Sequence, residues 1–509
     1  MGRTAETSRR ITRVCRAIVA VAAAGGVGLT LSGAPASIDD RPADVIRPAW
    51  SDLPALVQTQ LASHGVEPAR LPSFLDEVER DAAARVRDGD WDALVYYALQ
   101  SRRLTSLPPV EPALSAREHH TRLASANAPG ASPGSASASL GSASPSSSSS
   151  RPTSIPPSAE QRLAAVVRAI EAPPRATDDE RLTYFRSFVT QDADVASRGL
   201  AVVLRDAYGR AMRFLYEKEF DAPADPAARA QAFSTLYQHR AYSTDTEVEA
   251  GYAVAEALGM IRVIAPDARL ARVLIVGPGL TLARRTGFID EIPPQSYQPW
   301  AVLNDVVSLG FSRLADIEIV CADINPRVVD HLERGRRTPS APATPFLLVS
   351  DMPDTPAAPL SDGYRRYFGA WGRAIGEDAA APPLPPLPER LTPHLRRAVR
   401  VTSDARGRVR AFPLNIVTQR ERGAPYDAVI VTNVLTYFDD VSLLLALSNI
   451  ASMLRPGGFL IHNESRDVLG TAAPRLGLPI THTRTVIFTP ASGGARALYD
   501  LVGIHRKPS

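Results

Sequence analysis

The chain has 509 residues, 45% of them hydrophobic, which is enough apolar material for a sizeable core and too much length for one ordinary domain. A near balance of 57 basic and 54 acidic side chains leaves a formal charge of +3, so no nucleic-acid partner is expected. Two cysteines, Cys15 and Cys321, exclude a disulfide framework or a zinc site, and the nine histidines lack metal-ligand spacing, so no metal is expected.

Residues 1–36 read as a signal-like leader. Arg9, Arg10, Arg13 and Arg16 precede the apolar run 17–33, and Ala34-Pro35-Ala36 offers a small-residue cleavage site. The run is short for a spanning helix, so export is expected, with an uncleaved anchor or a misassigned start as the alternatives. Localisation stays open on these grounds, and any membrane association would come through this leader alone. Residues 48–120 form a helical region, with apolar residues at three- and four-residue spacing and Ser73 as a candidate N-cap. Residues 121–157 are rich in Ser, Ala and Pro and too poor in apolar side chains to offset the entropy of ordering, so a disordered linker is expected there. His119 and His120 are expected in a loop. Helical patterning returns over 158–264 as a cap, in which Thr246 and Glu249 have capping-box spacing. The stretch 238–250 is placed to close over a ligand, since it lies shortly before the first strand of the C-terminal half.

From 265 to 509 strands and helices alternate, the sign of a parallel sheet covered on both faces. Strands are expected at 271–276, 317–322 and 427–434, with a helix from Trp300 to Leu309 and another over 440–453. The turn LRPGG at 454–458 feeds a further strand, and a hairpin closes the chain. The first strand runs into Gly277 and Gly279, and the second is followed by Asp323. Such an arrangement lets backbone approach a nucleoside while a carboxylate takes two ribose hydroxyls. Cys321, inside the second strand, reads as an inert core residue. A dehydrogenase-type GxGxxG is absent, because Leu282 occupies its last glycine position.

Four pieces, VLIVGPGL, CADINP, PYDAVIVTNVLTYF and MLRPGGFLI, together resemble the class I S-adenosylmethionine-dependent methyltransferases. The resemblance covers about 270–508 and implies an α/β fold: a seven-stranded Rossmann-like sheet with its last strand antiparallel, here preceded by a mainly helical region. It implies S-adenosylmethionine as cofactor, with Gly277, Gly279, Asp323, Ile324, Asn415 and Asn433 as candidate contacts and Tyr437 as a candidate for orienting the acceptor. The alternatives are a structural turn at the glycines, a helix cap at Asp323, a turn role for Asn415, and core packing for Tyr437. A narrower similarity is to the enzymes that esterify chemoreceptor glutamates. It rests on Asn433-Val434-Leu435-Thr436-Tyr437-Phe438-Asp439, on Asn415-Ile416, and on a long insertion over about 327–410 with a helix near 361–376. Thr432 stands where that family usually has arginine. Ile275 and Thr281 occupy positions where the class I pattern commonly has an acidic residue and a third glycine.

Asp439 and Asp440 are expected to cap a helix, while His462 and Glu464 could contact substrate or simply follow strand alternation. The long loop 279–300 could shape an acceptor pocket with Arg284, Arg285, Asp290 and Gln295. The expected function is methyl transfer to a small-molecule or protein acceptor. The alternative is an exported or membrane-associated methyltransferase-fold protein that binds without catalysis.

Overall fold

Seven strands assemble into one sheet: β1 (Arg272–Val276), β2 (Glu318–Asp323), β3 (Val409–Pro413), β4 (Tyr426–Val431), β5 (Leu454–His462), β6 (Ile480–Thr489) and β7 (Leu498–Arg506). Their order is β6-β7-β5-β4-β1-β2-β3. Pairs among β1 to β5 are parallel, and β7 runs antiparallel to both of its neighbours. This is the seven-stranded α/β sheet with a reversed last strand that the resemblance implies. The computed structural model describes residues 43–126, 154–175, 178–221, 232, 235–283, 292–337, 345–381, 394–423, 425–491 and 497–509. Residues 1–42, most of the expected linker, and Arg284, Arg285 and Asp290 lie outside the described residues.

The parallel strands are apolar on both faces because both faces are covered. Val273, Ile275, Ile319 and Cys321 point into one core; Leu274, Val276, Val320 and Ala322 point into the other. Helices in chain order are α1 (Ala55–Ser63), α2 (Leu71–Gln100), α3 (Pro112–Ala126), α4 (Pro157–Glu171), α5 (Glu180–Val189), α6 (Leu200–Glu219), α7 (Val248–Ile264), α8 (Gln298–Ser308), α9 (Pro326–Arg337), α10 (Asp362–Ala370) and α11 (Asp440–Met453), besides shorter turns. The first core joins α7 and α8 to the helices of the N-terminal half, and the second joins α11 to α1 and the start of α2. By contacts, Ile38–Ser509 is one compact unit, so the N-terminal half packs as part of the same body as the sheet. No described helix is long and apolar enough to cross a membrane.

Several local expectations are corrected. Helix α2 begins at Leu71 with Pro72 in its first turn, and the Ser73 hydroxyl donates to the Arg70 carbonyl instead of capping. Helix α7 starts at Val248 without a side-chain cap, because the Glu249 carboxylate turns inward to accept from Ser350 Oγ (2.9 Å) and Tyr364 Oη (2.8 Å). His119 and His120 lie on α3, where ring packing against Tyr208 and Tyr216 holds them. Strand β4 stops at Val431 rather than 434, since Asn433 adopts φ 58° and turns the chain. The stretch RPGG lies within β5, where it shifts the register against β4 between Leu454 and Phe459. The insertion after β2 builds a small antiparallel sheet from Phe346–Pro353, Gly376–Ala379 and His394–Val401, and its helix α10 ends at Ala370.

Candidate nucleoside site

The chain leaves β1 for β2 and β3 on one side, then returns to place β4 on the other side of β1. Open α/β sheets bind ligands outside the carboxyl ends of the strands at such a reversal. Here a crevice opens there, lined by Val276–Gly279, Ala322–Asn325, Leu414–Ile416, Thr432–Val434 and Tyr437 from the sheet side, and by Tyr242–Glu247 from the other.

Gly277 and Gly279 follow β1 with φ of 67° and 73°, a conformation that residues with a Cβ rarely adopt. Space adds a second requirement. A Cβ on Gly277 would lie 2.5 Å from Val434 Cγ2, and one on Gly279 would lie 2.7 Å from the Thr244 carbonyl oxygen. The glycine turn therefore lets a strap, residues 237–247, close against it. The strap is tied down by Leu280 N–H donating to the Thr244 carbonyl and by Thr281 Oγ1 donating to the Thr246 carbonyl (3.2 Å). From α2, Arg85 donates to the carbonyls of Arg240 (2.7 Å), Tyr237 (2.9 Å) and Tyr437 (3.2 Å) and stacks over the Tyr242 ring (4.2 Å). The expectation that 238–250 closes over the site thus matches the position of the strap.

Asp323 is buried, with Oδ1 accepting from the Asn325 backbone N–H at 2.8 Å. Burial raises its pKa to about 7, against the restraining hydrogen bonds from the backbone N–H groups of Asn325, Gly279 and Ile324. The capping alternative for Asp323 passes to Asn325, whose Oδ1 accepts from Arg327 N–H (3.0 Å) at the start of α9. Asn415 lines the same crevice just past the end of the neighbouring strand β3, whose Pro413 pairs with Asp323. Its Oδ1 accepts from Val417 N–H (3.1 Å), while its Nδ2 is buried with no hydrogen-bond partner. A buried donor left unmatched costs about 1–3 kcal/mol, so this amide is suited to a ligand acceptor such as a nucleobase ring nitrogen. Ile324 lines the crevice with Val276, Ala322, Leu414 and Ile416, giving it apolar walls.

Asn433 and Tyr437 take more constrained places. Among the described residues Asn433 is the only non-glycine with positive φ. Its N–H donates to Asn463 Oδ1 (2.8 Å) and its Oδ1 accepts from Asn463 Nδ2 (2.8 Å), so its carboxamide locks β4 to the end of β5 while bordering the crevice. Tyr437 packs edge-on against Tyr237 (5.7 Å) and Tyr242 (5.2 Å), and its hydroxyl accepts from Ser243 N–H (3.3 Å). It borders the crevice and pins the strap. Thr432 Oγ1 accepts from Gln298 Nε2 (2.6 Å), Ile275 is fully buried, and Thr281 N–H donates to the Gln295 carbonyl (3.0 Å). The Gln295 side chain bonds both backbone groups of Leu347 in the small sheet, so it joins two elements rather than facing an acceptor.

His462 lies outside the crevice. Its Nε2 meets His505 Nε2 at 2.8 Å, while its Nδ1 faces Glu464 N–H and His505 Nδ1 faces the Leu478 carbonyl. That pattern fixes two neutral tautomers: His462 donates through Nε2 and His505 accepts there. Burial pushes the His462 pKa down to about 3 and lowers that of His505. Asp439 caps α11 as expected, with Oδ1 accepting from Ser442 N–H (2.7 Å).

Sequence reasoning did not single out Val86 or Asp90 of α2. Val86 lines the crevice directly, and Asp90, fully buried, bonds to residues that follow Asp323. The available signal was Gly89, a glycine inside a long helix, which is there because a Cβ would lie 1.7 Å from the Tyr242 carbonyl oxygen of the strap.

Neither a family model nor a curated protein matches the chain. Solved structures with similarity include N-methyltransferase NodS from Bradyrhizobium japonicum WM9 (12% identity, 51% of this chain and 97% of that chain, TM-score 0.23). Another is the magnesium protoporphyrin IX methyltransferase ChlM from Synechocystis PCC 6803 with bound SAM (11% identity, 66% and 100%, TM-score 0.25). The glycopeptide N-methyltransferase MtfA with S-adenosyl-L-homocysteine is a third (10% identity, 56% and 99%, TM-score 0.27). At these scores the likenesses carry no weight of their own, and what identifies the fold is the order and direction of the seven strands.

Proposed function

We propose that the protein binds S-adenosylmethionine in the crevice at the ends of β1, β2 and β4 and transfers its methyl group to a small-molecule or protein acceptor. The observation that carries this reading is that one crevice is lined by both Asp323, a buried carboxylate, and Asn415, a buried amide with an unmatched donor. A carboxylate suits vicinal ribose hydroxyls, and an amide donor suits an adenine nitrogen. The apolar walls at Ile324, Leu414 and Ile416 suit a flat base between them. When bound, the cofactor supplies an electron-poor methyl carbon on a sulfonium.

The protein's own part is positioning and exclusion of water. Methyl transfer needs an in-line approach more than a strong base. The strap covers the site and brings the carboxylate side chains of Asp245 and Glu247 to its lining. The Tyr437 hydroxyl, held at Ser243, fixes the strap over the glycine turn and thereby defines the acceptor's side of the crevice. Thr432, bonded to Gln298, leaves that position without the arginine of the chemoreceptor enzymes, so no receptor glutamate is proposed as the acceptor.

A second reading, a protein that binds the cofactor without turnover, is favoured by Ile275 and Thr281, which replace two usual aids to the methionine portion. Incubation with methyl-labelled S-adenosylmethionine and an extract of the source cells separates the two. Label transferred by the wild type and lost in Asp323→Ala supports the enzyme. Cofactor binding without any transfer supports the second reading.

A further inference from the structure

We propose that Asp90, on helix α2 of the N-terminal half, is a positioning residue of the nucleoside site, holding the Asn325–Arg327 turn so that the Asp323 carboxylate faces the ribose. The inference rests on the reading of the crevice as a cofactor site. It begins with a carboxylate that has no reason to be inside a helix-packing interface. Asp90 is fully buried, beside the buried Gly89 and Trp91 on the same helix. A buried carboxylate persists only where partners compensate its lost hydration. The partners here come from two different parts of the molecule.

Tyr184 of α5 donates its hydroxyl to Asp90 Oδ1 at 2.6 Å. Arg327, in the first turn of α9, donates Nη1 to Oδ2 at 3.0 Å, and Asn325 Nδ2 reaches Oδ1 at 3.4 Å. Asn325 is also the residue whose backbone N–H binds Asp323 Oδ1 and whose side chain caps α9. Asp90 therefore grips the turn on its outer side while Asp323 takes the same turn's N–H on its inner side. Without that anchor Asn325 could rotate away, and Asp323 would lose one of the three backbone donors that hold it.

Charge links the two carboxylates as well. Asp90 is among the causes that raise the Asp323 pKa, after burial, and Asp90 itself is raised to about 6 by burial, against the pull of Tyr184, Arg327 and Asn325. The charged or titratable groups around the pair are Arg327, Tyr184, Cys321 and the strap carboxylates Asp245 and Glu247 that line the same crevice; Tyr184 and Cys321 stay protonated at neutral pH because burial pushes both well up. Near neutral pH Asp90 is ionised and opposes ionisation of Asp323. Removing its charge must then let Asp323 ionise at lower pH.

The experiment uses the full chain and its Asp90→Asn variant, titrated calorimetrically with S-adenosylmethionine from pH 5.5 to 8.5. Two changes are expected together in Asp90→Asn: affinity at the high-pH plateau falls about tenfold as the turn loosens, and the midpoint of the affinity profile moves down by roughly half to one pH unit as the like charge disappears. A helix-packing role alone would lower affinity evenly or leave it unchanged, with no shift of midpoint, and either result overturns the inference. Tyr184→Phe, which keeps the ring and removes one donor, guards against a folding failure. It removes the Tyr184 donor and leaves Asp90 less well anchored, so affinity should fall; an unchanged affinity in this variant also counts against the inference. Absence of binding by the wild type would instead sink the cofactor reading on which it rests.

Discussion

Asp323 and Asn415 make separate demands on a ligand, and each gives a measurable consequence. Asp323→Ala removes a charged acceptor, a change of about 1.5–3 kcal/mol, or roughly ten- to a hundredfold in cofactor affinity, readable by titration. Because burial raises its pKa to about 7, the carboxylate that accepts ribose hydroxyls forms as pH passes through that value, so wild-type affinity should rise between pH 6 and 8. The buried histidine pair acts on stability. Folded His462 titrates near 3, below an ordinary histidine, so the unfolded chain takes up the proton first. Stability is full above about pH 6.5 and falls as pH drops toward 3, and His462→Gln should flatten that part of a denaturant-midpoint profile. Asp305 has the opposite sign: burial raises its pKa to about 8, so its contribution to stability is lost as pH rises from the ordinary carboxylate range through 8. Asp305→Asn should therefore raise the denaturation midpoint at pH 8.5. Asp323 and the Gly277–Gly279 turn were legible in sequence because strand ends carry their own pattern. The His462–His505 contact was not, since it joins two strands about 40 residues apart and needs the register of β5 against β7.

At the level of elements, the strap lies, but for Tyr237, within the stretch that the sequence places to close over the site. Its tie to the glycine turn implies that Gly279→Ala costs about 1–3 kcal/mol, through positive φ and the clash with Thr244, and weakens cofactor binding as well. Arg85→Met removes the donors to the Tyr237, Arg240 and Tyr437 carbonyls while keeping the aliphatic stem. Amide exchange over 237–247 should then accelerate while that of β1 and β4 stays protected; equal protection in the variant would mean that the strap is held by other contacts. The strands β1 and β2 lie within a residue of their expected positions, because an apolar run ending in glycine or aspartate marks its own boundary. The end of β4 and the entry to β5 did not, because the positive φ of Asn433 and the register shift at RPGG arise from pairing with neighbours.

Across the whole molecule, the N-terminal half completes the sheet domain by covering both faces. Helix α1 and the start of α2 enter one core, and the remainder of α2 with α4 to α7 enters the other. Sequence periodicity showed that these helices have an apolar face; it could not show what the face meets, nor that Val86 lines the crevice while Arg85 bonds the strap and Asp90 the turn after Asp323. Since Ile38–Ser509 is one compact unit, thermal unfolding should show the N-terminal helices and the sheet melting together. The central claim concerns the crevice, and calorimetric titration of the full chain with S-adenosylmethionine and S-adenosylhomocysteine, beside Asp323→Ala, tests it most directly. Saturable heat with the wild type for both ligands, reduced at least tenfold in affinity by the substitution, is the expected result. No heat with the wild type, or equal affinity in Asp323→Ala, would contradict it.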